Sequence, residues 1–152
     1  MIRSFCAEDM DAEDMDAVVR LWFEASVQSH DFIPLAHWEA EKENLRTLYL
    51  PLSDEIVVHV DDDSGEIDAF FAFAGDFLAA LFVAPAAQGK GLGSRLLHIA
   101  RRMHPALTLA VYAENRRAVN FYRQNGLTVY ARRTERSTGH RELLMKATKE
   151  LK

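Results

Sequence analysis

The chain has 152 residues, of which 49% are hydrophobic and 27% are charged, and its formal net charge at pH 7 is -5. This length predicts a single domain spanning residues 1–152, and the composition is ordinary for a soluble globular protein. The acidic balance argues against a nucleic-acid partner, and the single cysteine, Cys6, excludes a disulfide within the chain.

The sequence shows no sign of a membrane or secreted protein. No stretch approaches the ~18 consecutive apolar residues of a transmembrane helix. Residues 1–4 lack the basic-then-apolar layout of a signal peptide. We therefore expect a cytoplasmic protein without a membrane partner. The histidines show no metal-ligand spacing, so no metal site is expected.

The first elements are a strand and a helix. Residues 2–6 predict a strand in which Cys6 is a small core residue. Residues 7–11 and 12–16 both read AEDMD, which we interpret as an extended loop or an added helical turn. A helix that ends near residues 30–32 is predicted from apolar residues at helical spacing. These are Met15, Val18, Leu21, Trp22 and Ala25.

A second helix is predicted from Ala36 to about Leu50, and Pro51 stops it. Its polar residues alternate with apolar ones at helical spacing, which indicates one buried face. We expect Trp38, Leu45 and Leu48 on that inner face.

Three strands are predicted next, over residues 55–60, 67–74 and 77–83. Turn residues separate them, at 61–65 and at Gly75-Asp76. The third strand is almost wholly apolar, which is typical of the centre of a sheet.

The remaining elements alternate between helix and strand. They are a helix over 91–103, a strand over 107–112, a helix over 116–125 that Gly126 ends, and strands over 127–132 and 141–146. The full order is strand, helix, helix, three strands, helix, strand, helix and two strands. This order predicts a mixed α/β fold in which a central mixed sheet is flanked by about four helices.

A glycine-rich segment, QGKGLGS at residues 88–94, joins an apolar strand to the amphipathic helix. Glycine permits positive φ and lets a ligand approach the backbone. The N-terminus of the helix adds unpaired N–H groups and partial positive charge. The segment therefore predicts an anion site suited to a pyrophosphate, with Lys90 and Arg95 as further positive charge.

Two well-known phosphate loops do not fit this segment. A dinucleotide fingerprint requires a final glycine where Ser94 or Leu96 stands, depending on the starting glycine. A P-loop requires a lysine after the last glycine, and no suitable glycine is followed by one. A nicotinamide-dependent oxidoreductase is therefore the least supported function.

Two motifs resemble those of the GCN5-related N-acetyltransferase (GNAT) superfamily. Residues 88–93 match its signature [QR]-x-x-G-x-[GA]. Residues 115–127 resemble its segment N-x-x-A-x-x-F-Y-x-x-x-G-F, with Leu127 in place of the final Phe. The order of elements is similar over nearly the whole chain, and His30-Asp31-Phe32 resembles a branch of small bacterial acetyltransferases.

The resemblance implies a GNAT-like fold and a site for acetyl-CoA as co-substrate. In the family, backbone N–H groups of the glycine-rich loop hold the pyrophosphate, and the pantetheine arm lies along the central strand where two parallel strands splay. The corresponding residues here are Gln88, Gly89, Lys90, Gly91, Gly93 and Ser94 for the loop, and Leu81, Phe82 and Val83 for the strand. Asn115 would bond to the coenzyme A arm, cap its helix, or do both.

The resemblance also implies catalytic roles. Tyr122 is expected to protonate the departing thiolate, because a phenol with a pKa of about 10 is protonated at neutral pH. The base is less defined: the candidates are His30, Asp68 near the start of the strand over 67–74, and Asp76 in the hairpin that follows it. His30 next to Asp31 is equally compatible with a capping pair in a loop. A base is unnecessary if the amine arrives neutral or loses its proton through water.

The expected function is transfer of an acetyl group to a primary amine, carried by a small molecule, a peptide or a protein. His30, Phe32, the second helix and the turn before Arg141 would select this acceptor. The alternative is a non-catalytic module that senses acyl-CoA on the same fold. Tyr122 and an open acceptor pocket would distinguish the enzyme from the sensor. Either a monomer or a homodimer is compatible with the sequence.

Overall fold

The computed structural model describes residues 1–5 and 9–148. The strands are β1 (Ile2–Phe5), β2 (Glu55–Val60), β3 (Ile67–Ala74), β4 (Phe77–Val83), β5 (Thr108–Tyr112), β6 (Leu127–Thr134) and β7 (Arg141–Ala147). The helices are α1 (Ala12–Ser29), α2 (Leu35–Asn44), α3 (Leu92–Met103) and α4 (Arg116–Gln124). This is the predicted order of elements. Cys6 and the start of the first AEDMD copy lie outside the described residues, whereas the second copy forms the first turn of α1.

The strands form one mixed sheet in the order β1-β2-β3-β4-β5-β7-β6, with β4 at its centre as predicted. Neighbouring strands are antiparallel except β4 and β5, which run parallel. These two strands share a single backbone pair, Phe77 with Thr108, where both begin. Beyond this pair they splay apart, so a gap opens through the middle of the sheet.

Side chains of a strand alternate between the two faces of the sheet, and here both faces carry apolar residues. Helices therefore cover both faces. One face packs against α1 and α2, and its buried residues include Ile56, Val58, Val60, Phe70 and Ala72. The other packs against α3 and α4, and its buried residues include Val57, Ala69, Phe71 and Phe73. In the described part of the chain, no helix is both long and apolar enough to span a membrane.

The second predicted helix is wrong in its last turns. Regular α-helix ends at Asn44, and residues 45–49 form a π-helical segment in which Leu50 N–H donates to Leu45 O at 2.9 Å. A π-helix aligns residue i with i+5 rather than i+3 or i+4. Leu45 and Leu50 are therefore buried together, whereas Leu48, predicted on the inner face, is 46% exposed.

Candidate active site

The gap between β4 and β5 forms a cavity of about 610 Å³. Residues 78–83 of β4 and 109–112 of β5 form its walls. The end of α1 lines it with Gln28, Ser29 and His30, and α4 lines it with Ala118, Phe121 and Tyr122. Since α1 and α4 pack on opposite faces of the sheet, the cavity passes through the sheet from one face to the other.

The glycine-rich segment borders this cavity between β4 and α3. Gly89 and Gly91 have φ values of +81° and +79°, and a Cβ at either position would project into open space. Gly93 is tighter, since a Cβ there would lie 3.5 Å from the Phe121 ring. Gln88 Nε2 donates to Val83 O and to Gln28 Oε1, both at 3.0 Å, and so ties the segment to β4 and α1.

The backbone of this segment is suited to the phosphates of coenzyme A. From Gly89 to Ser94, the N–H groups donate to no other described residue, and Arg95 N–H is the first to bond back, to Gly91 O at 3.1 Å. Such a row of free donors at a helix N-terminus is a favourable anion site. Arg117 lines the same cavity, whereas the Lys90 and Arg95 side chains line a neighbouring one of about 200 Å³.

The central strand offers a similar fit for an extended arm. Leu81, Phe82 and Val83 all line the cavity and are half-buried, because their β5-facing edge borders the gap. The opposite edge pairs with β3 in this stretch. The edge of β4 that faces the gap therefore presents backbone groups without a strand partner.

Tyr122 lies on the inner face of α4, and its ring contacts Phe121 with centroids 5.3 Å apart. Its hydroxyl forms no hydrogen bond with the described residues. Burial raises the pKa of Tyr122 to about 12. The phenol is therefore protonated at neutral pH and has its O–H free to donate.

His30 and Asn115 connect α1 to α4 across the cavity. His30 caps α1: its backbone N–H and its ring Nδ1 both bond to Ser26 O, the ring atom at 2.8 Å. This bond requires the proton on Nδ1, so Nε2 is an acceptor, and Asn115 Nδ2 donates to it at 3.3 Å. Asn115 Oδ1 caps α4 by accepting from Ala118 N–H. Burial lowers the pKa of His30, so its ring is neutral near pH 7.

An aromatic wall, formed by His30, Phe32, Trp38, Tyr112 and His140, lies at the α1–α2 end of the cavity. His30, Trp38 and Tyr112 line the cavity itself, whereas Phe32 and His140 pack behind them. The ring of Phe32 contacts those of Tyr112 and His140, with centroids 5.8 and 5.1 Å apart. Tyr112 O–H donates to Glu135 Oε2 at 3.4 Å, which connects the wall to the β6–β7 turn. The buried Trp38 Nε1–H lacks a partner among the described residues.

The carboxylates considered from the sequence lie elsewhere. Asp68 bonds to His59 Nδ1 at 2.6 Å and Asp76 to His104 Nδ1 at 2.8 Å, and neither lines the cavity. Sequence reasoning missed Arg117 and Glu142, the two formally charged side chains among its lining residues. Glu142 is the single acidic residue of β7, the one signal that was available. The described residues contain no cluster suited to a metal ion.

Comparison with known proteins agrees with this geometry. Residues 52–128 match the family model of the acetyltransferase (GNAT) domain. The chain is 34% identical over 117 residues to the peptidyl-lysine N-acetyltransferase YiaC of Escherichia coli strain K12, covering 76% of this chain and 78% of that protein. It is 32% identical over 120 residues to the peptidyl-lysine N-acetyltransferase YjaB of Salmonella typhimurium, covering 79% and 81%.

The solved structures give the same result for the whole fold. The apo form of YjaB from Escherichia coli superposes with a TM-score of 0.80 at 26% identity, covering 96% of this chain and 95% of that one. The PaiA N-acetyltransferase of Thermoplasma acidophilum, solved with coenzyme A, has a TM-score of 0.72 at 16% identity, covering 98% and 99%. By its domain match, its relatives and its fold, the chain belongs to the GNAT family and is an N-acetyltransferase.

Proposed function

We propose that the chain transfers an acetyl group from acetyl-CoA to the ε-amino group of a lysine in a peptide or protein. The observation that carries this proposal is the cavity through the sheet, which joins the glycine-rich segment on one face to the aromatic wall on the other. Two relatives are named peptidyl-lysine N-acetyltransferases, which favours a lysine acceptor over a small amine. The proposal includes one domain over residues 1–152 and a cytoplasmic location.

The proposed co-substrate site combines the segment and the strand described above. Backbone N–H groups of Gly89, Lys90, Gly91, Gly93 and Ser94 would hold the pyrophosphate, beside Gln88. The free edge at Leu81, Phe82 and Val83 would pair with the pantetheine arm, and Asn115 would bond to it. Acetyl-CoA supplies the activated thioester. These assignments are supported by free donors, positive φ values and an unpaired strand edge.

Tyr122 is the proposed general acid, because its free and protonated hydroxyl borders the cavity. His30 remains the base candidate derived from the sequence. Both of its ring nitrogens are engaged, by Ser26 O and by the Asn115 amide. This geometry favours a positioning role, in which neutral His30 holds Asn115 and one side of the aromatic wall.

The test begins with binding and ends with the acceptor. Calorimetric titration of the full chain should show saturable binding of acetyl-CoA and none of NADH, the control ligand. Incubation with acetyl-CoA and a lysine-peptide library should then give products heavier by one acetyl group. Peptides with arginine in place of lysine are the matched controls. Acetylation of small amines alone would refute the lysine acceptor, and absence of acetyl-CoA binding would refute the site.

A further inference from the structure

Glu142 occupies an unusual position for an acidic residue. It is 8% exposed and lies in β7, directly opposite Tyr112 of β5. Residues opposite each other in neighbouring strands extend from the same face of the sheet. Glu142 therefore lines the cavity on the face that α1 and α2 cover, beside the aromatic wall. A buried carboxylate is costly unless it has partners, and here the partner is Arg133 of β6.

The contacts of Glu142 leave part of the carboxylate unused. Arg133 Nε–H, from β6, donates to Oε1 at 2.5 Å. No hydrogen bond from the described residues reaches Oε2. Burial raises the pKa of Tyr112 to about 12, and the negative charges of Glu135 and Glu142 add to this shift. The groups around Glu142 are thus a cation that bonds one oxygen, a protonated phenol and, behind that phenol, the neutral ring of His30.

The described lining of the cavity contains one formally charged residue of each sign, Arg117 and Glu142. Arg117 is exposed and lies in the first turn of α4, two residues after Asn115. Glu142 stands on the acceptor side, where the substrate of an N-acetyltransferase is a cation before it reacts. The carboxylate of Glu142 therefore complements the charge of the acceptor expected beside it.

We propose that Glu142 binds the ammonium group of the acceptor lysine and takes one proton from it before the amine attacks. This proposal deepens the proposed function and rests on it. Glu142 is then the base that the sequence did not reveal. The aromatic wall would surround the aliphatic part of the acceptor lysine side chain. Tyr112 and His30 belong to this wall, and the contacts of both rings with Phe32 keep its residues together.

The proton balance requires no further reactant. One ammonium proton passes to Glu142 and leaves later to solvent. The neutral amine forms the N–C bond, and the C–S bond breaks. The thiolate accepts the Tyr122 proton, and the phenolate recovers one from the acetylated nitrogen. The products are a neutral amide, a free thiol and one released proton, as acetylation of an ammonium group demands.

The test compares Glu142→Gln with the wild type. Glutamine keeps an oxygen that accepts from Arg133 Nε–H, so the packing is preserved while the charge is removed. The control is Glu13→Gln, which removes an exposed carboxylate near the other end of α1, about 25 Å from His30 along the helix axis. Both variants should bind acetyl-CoA as the wild type does.

Two readouts separate an ammonium site from a structural residue. The first is the affinity of the CoA-loaded protein for a lysine peptide relative to its norleucine analogue, which lacks the ammonium group. We expect at least roughly tenfold preference for lysine in the wild type, because a buried carboxylate meets the charge, and almost none in Glu142→Gln. The second is kcat, which should fall about 100-fold at pH 7. This deficit should shrink towards pH 10, because lysine then loses its proton unaided.

The outcomes are distinguishable. If the wild type acetylates no lysine peptide, both the proposed function and the role of Glu142 are refuted. If the wild type is active and Glu142→Gln keeps the same lysine preference and kcat, only the role of Glu142 is refuted. If kcat falls in His30→Asn but not in Glu142→Gln, the role of base returns to His30, and the proposal for Glu142 is overturned. If Glu142→Gln does not fold, Glu142→Asp should keep the lysine preference and lose rate. Full rate without preference in that variant contradicts the proposal.

Discussion

Tyr122 is half-buried, and its hydroxyl has no hydrogen-bond partner in the described part of the chain. A hydroxyl without a partner makes no hydrogen bond that would add to stability, so this group contributes little to the fold. Its raised pKa, about 12, keeps it protonated across the physiological range. These two properties suit a group that donates its proton only when negative charge develops on a nearby sulfur.

We therefore expect Tyr122→Phe to separate turnover from folding and binding. The variant should unfold at nearly the wild-type temperature and bind acetyl-CoA equally well, with kcat lowered about 100-fold, as for loss of a general acid. Tyr130→Phe is the control, because Tyr130 is 49% exposed on β6. Steady-state kinetics and calorimetry measure these effects. Unchanged kcat in Tyr122→Phe would remove this residue from the mechanism.

Individual residues differ in how far the sequence reveals them. Tyr122 and Gln88 were found because they belong to motifs with fixed spacing. Glu142 was missed because its role depends on β7 lying between β5 and β6, and strand order is not encoded in local periodicity. Arg117 was missed for a similar reason, since helical spacing does not show which cavity a helix end faces.

At the scale of elements, the loop that precedes α3 is shaped by backbone conformation more than by side chains. Gly91 is the N-cap of α3 and adopts the left-handed region, at φ +79°. A β-branched residue is strained there, and its Cβ would enter the open space beside the free N–H groups. The backbone strain can be tested separately from the obstruction of the phosphate site. Other glycines of this chain also have positive φ but lie away from that site.

Gly91→Val should weaken acetyl-CoA binding by more than tenfold, or abolish it, in a calorimetric titration, because its side chain occupies the phosphate position. Gly75→Val is the matched control: Gly75 also has positive φ, 59°, but lies in the β3–β4 turn at the other end of β4. Both variants should lose stability, about 1–3 kcal/mol from backbone strain. Equal loss of affinity in both would assign the effect to strain and contradict the phosphate site.

Most elements were predictable because the apolar periodicity and the turn residues indicate the same element boundaries along this chain. β2, β3 and β4 have the predicted bounds, and Gly75-Asp76 forms their last turn. The end of α2 was not predictable, because a π-helical segment changes the spacing from Leu45 to Leu50 without any proline or glycine inside it. The segment places Leu50 in the core, where it is 1% exposed.

At the scale of the whole molecule, the two parts of the sheet are joined where β4 and β5 begin. A three-residue cluster stands beside this junction: His104, at the end of α3, bonds through Nδ1 to Asp76 at 2.8 Å and through Nε2 to Glu55 at 2.5 Å. Asp76 O also accepts from Thr108 N–H at 3.1 Å. Burial alone would lower the pKa of His104, but the bonds to both carboxylates outweigh it and raise the pKa.

This cluster predicts a pH dependence of stability. Because the pKa of His104 is higher in the folded than in the unfolded state, protonated His104 stabilises the fold below about pH 6.5, and this contribution is lost as pH rises through the folded pKa. His30 acts in the opposite sense, since its pKa is lowered. Urea unfolding of the wild type and His104→Gln should thus differ most at pH 5.5 and converge by pH 9. A constant difference would contradict the prediction.

The separation of β4 from β5 also changes how many strand edges the molecule possesses. Among the described strands, the outer edges belong to β1 and β6, and the splay adds two inner edges along β4 and β5 beyond their one shared pair. Unpaired edges promote aggregation by pairing with other chains. The outer edges are protected in familiar ways: β1 has four residues, and β6 carries Arg132, Arg133 and an irregular register after Val129. The inner edges face each other inside the protein, between α1 and α4. A strand of another folded chain cannot reach these inner edges, because the helices enclose them. A thin, extended molecule can still enter the gap and pair with them.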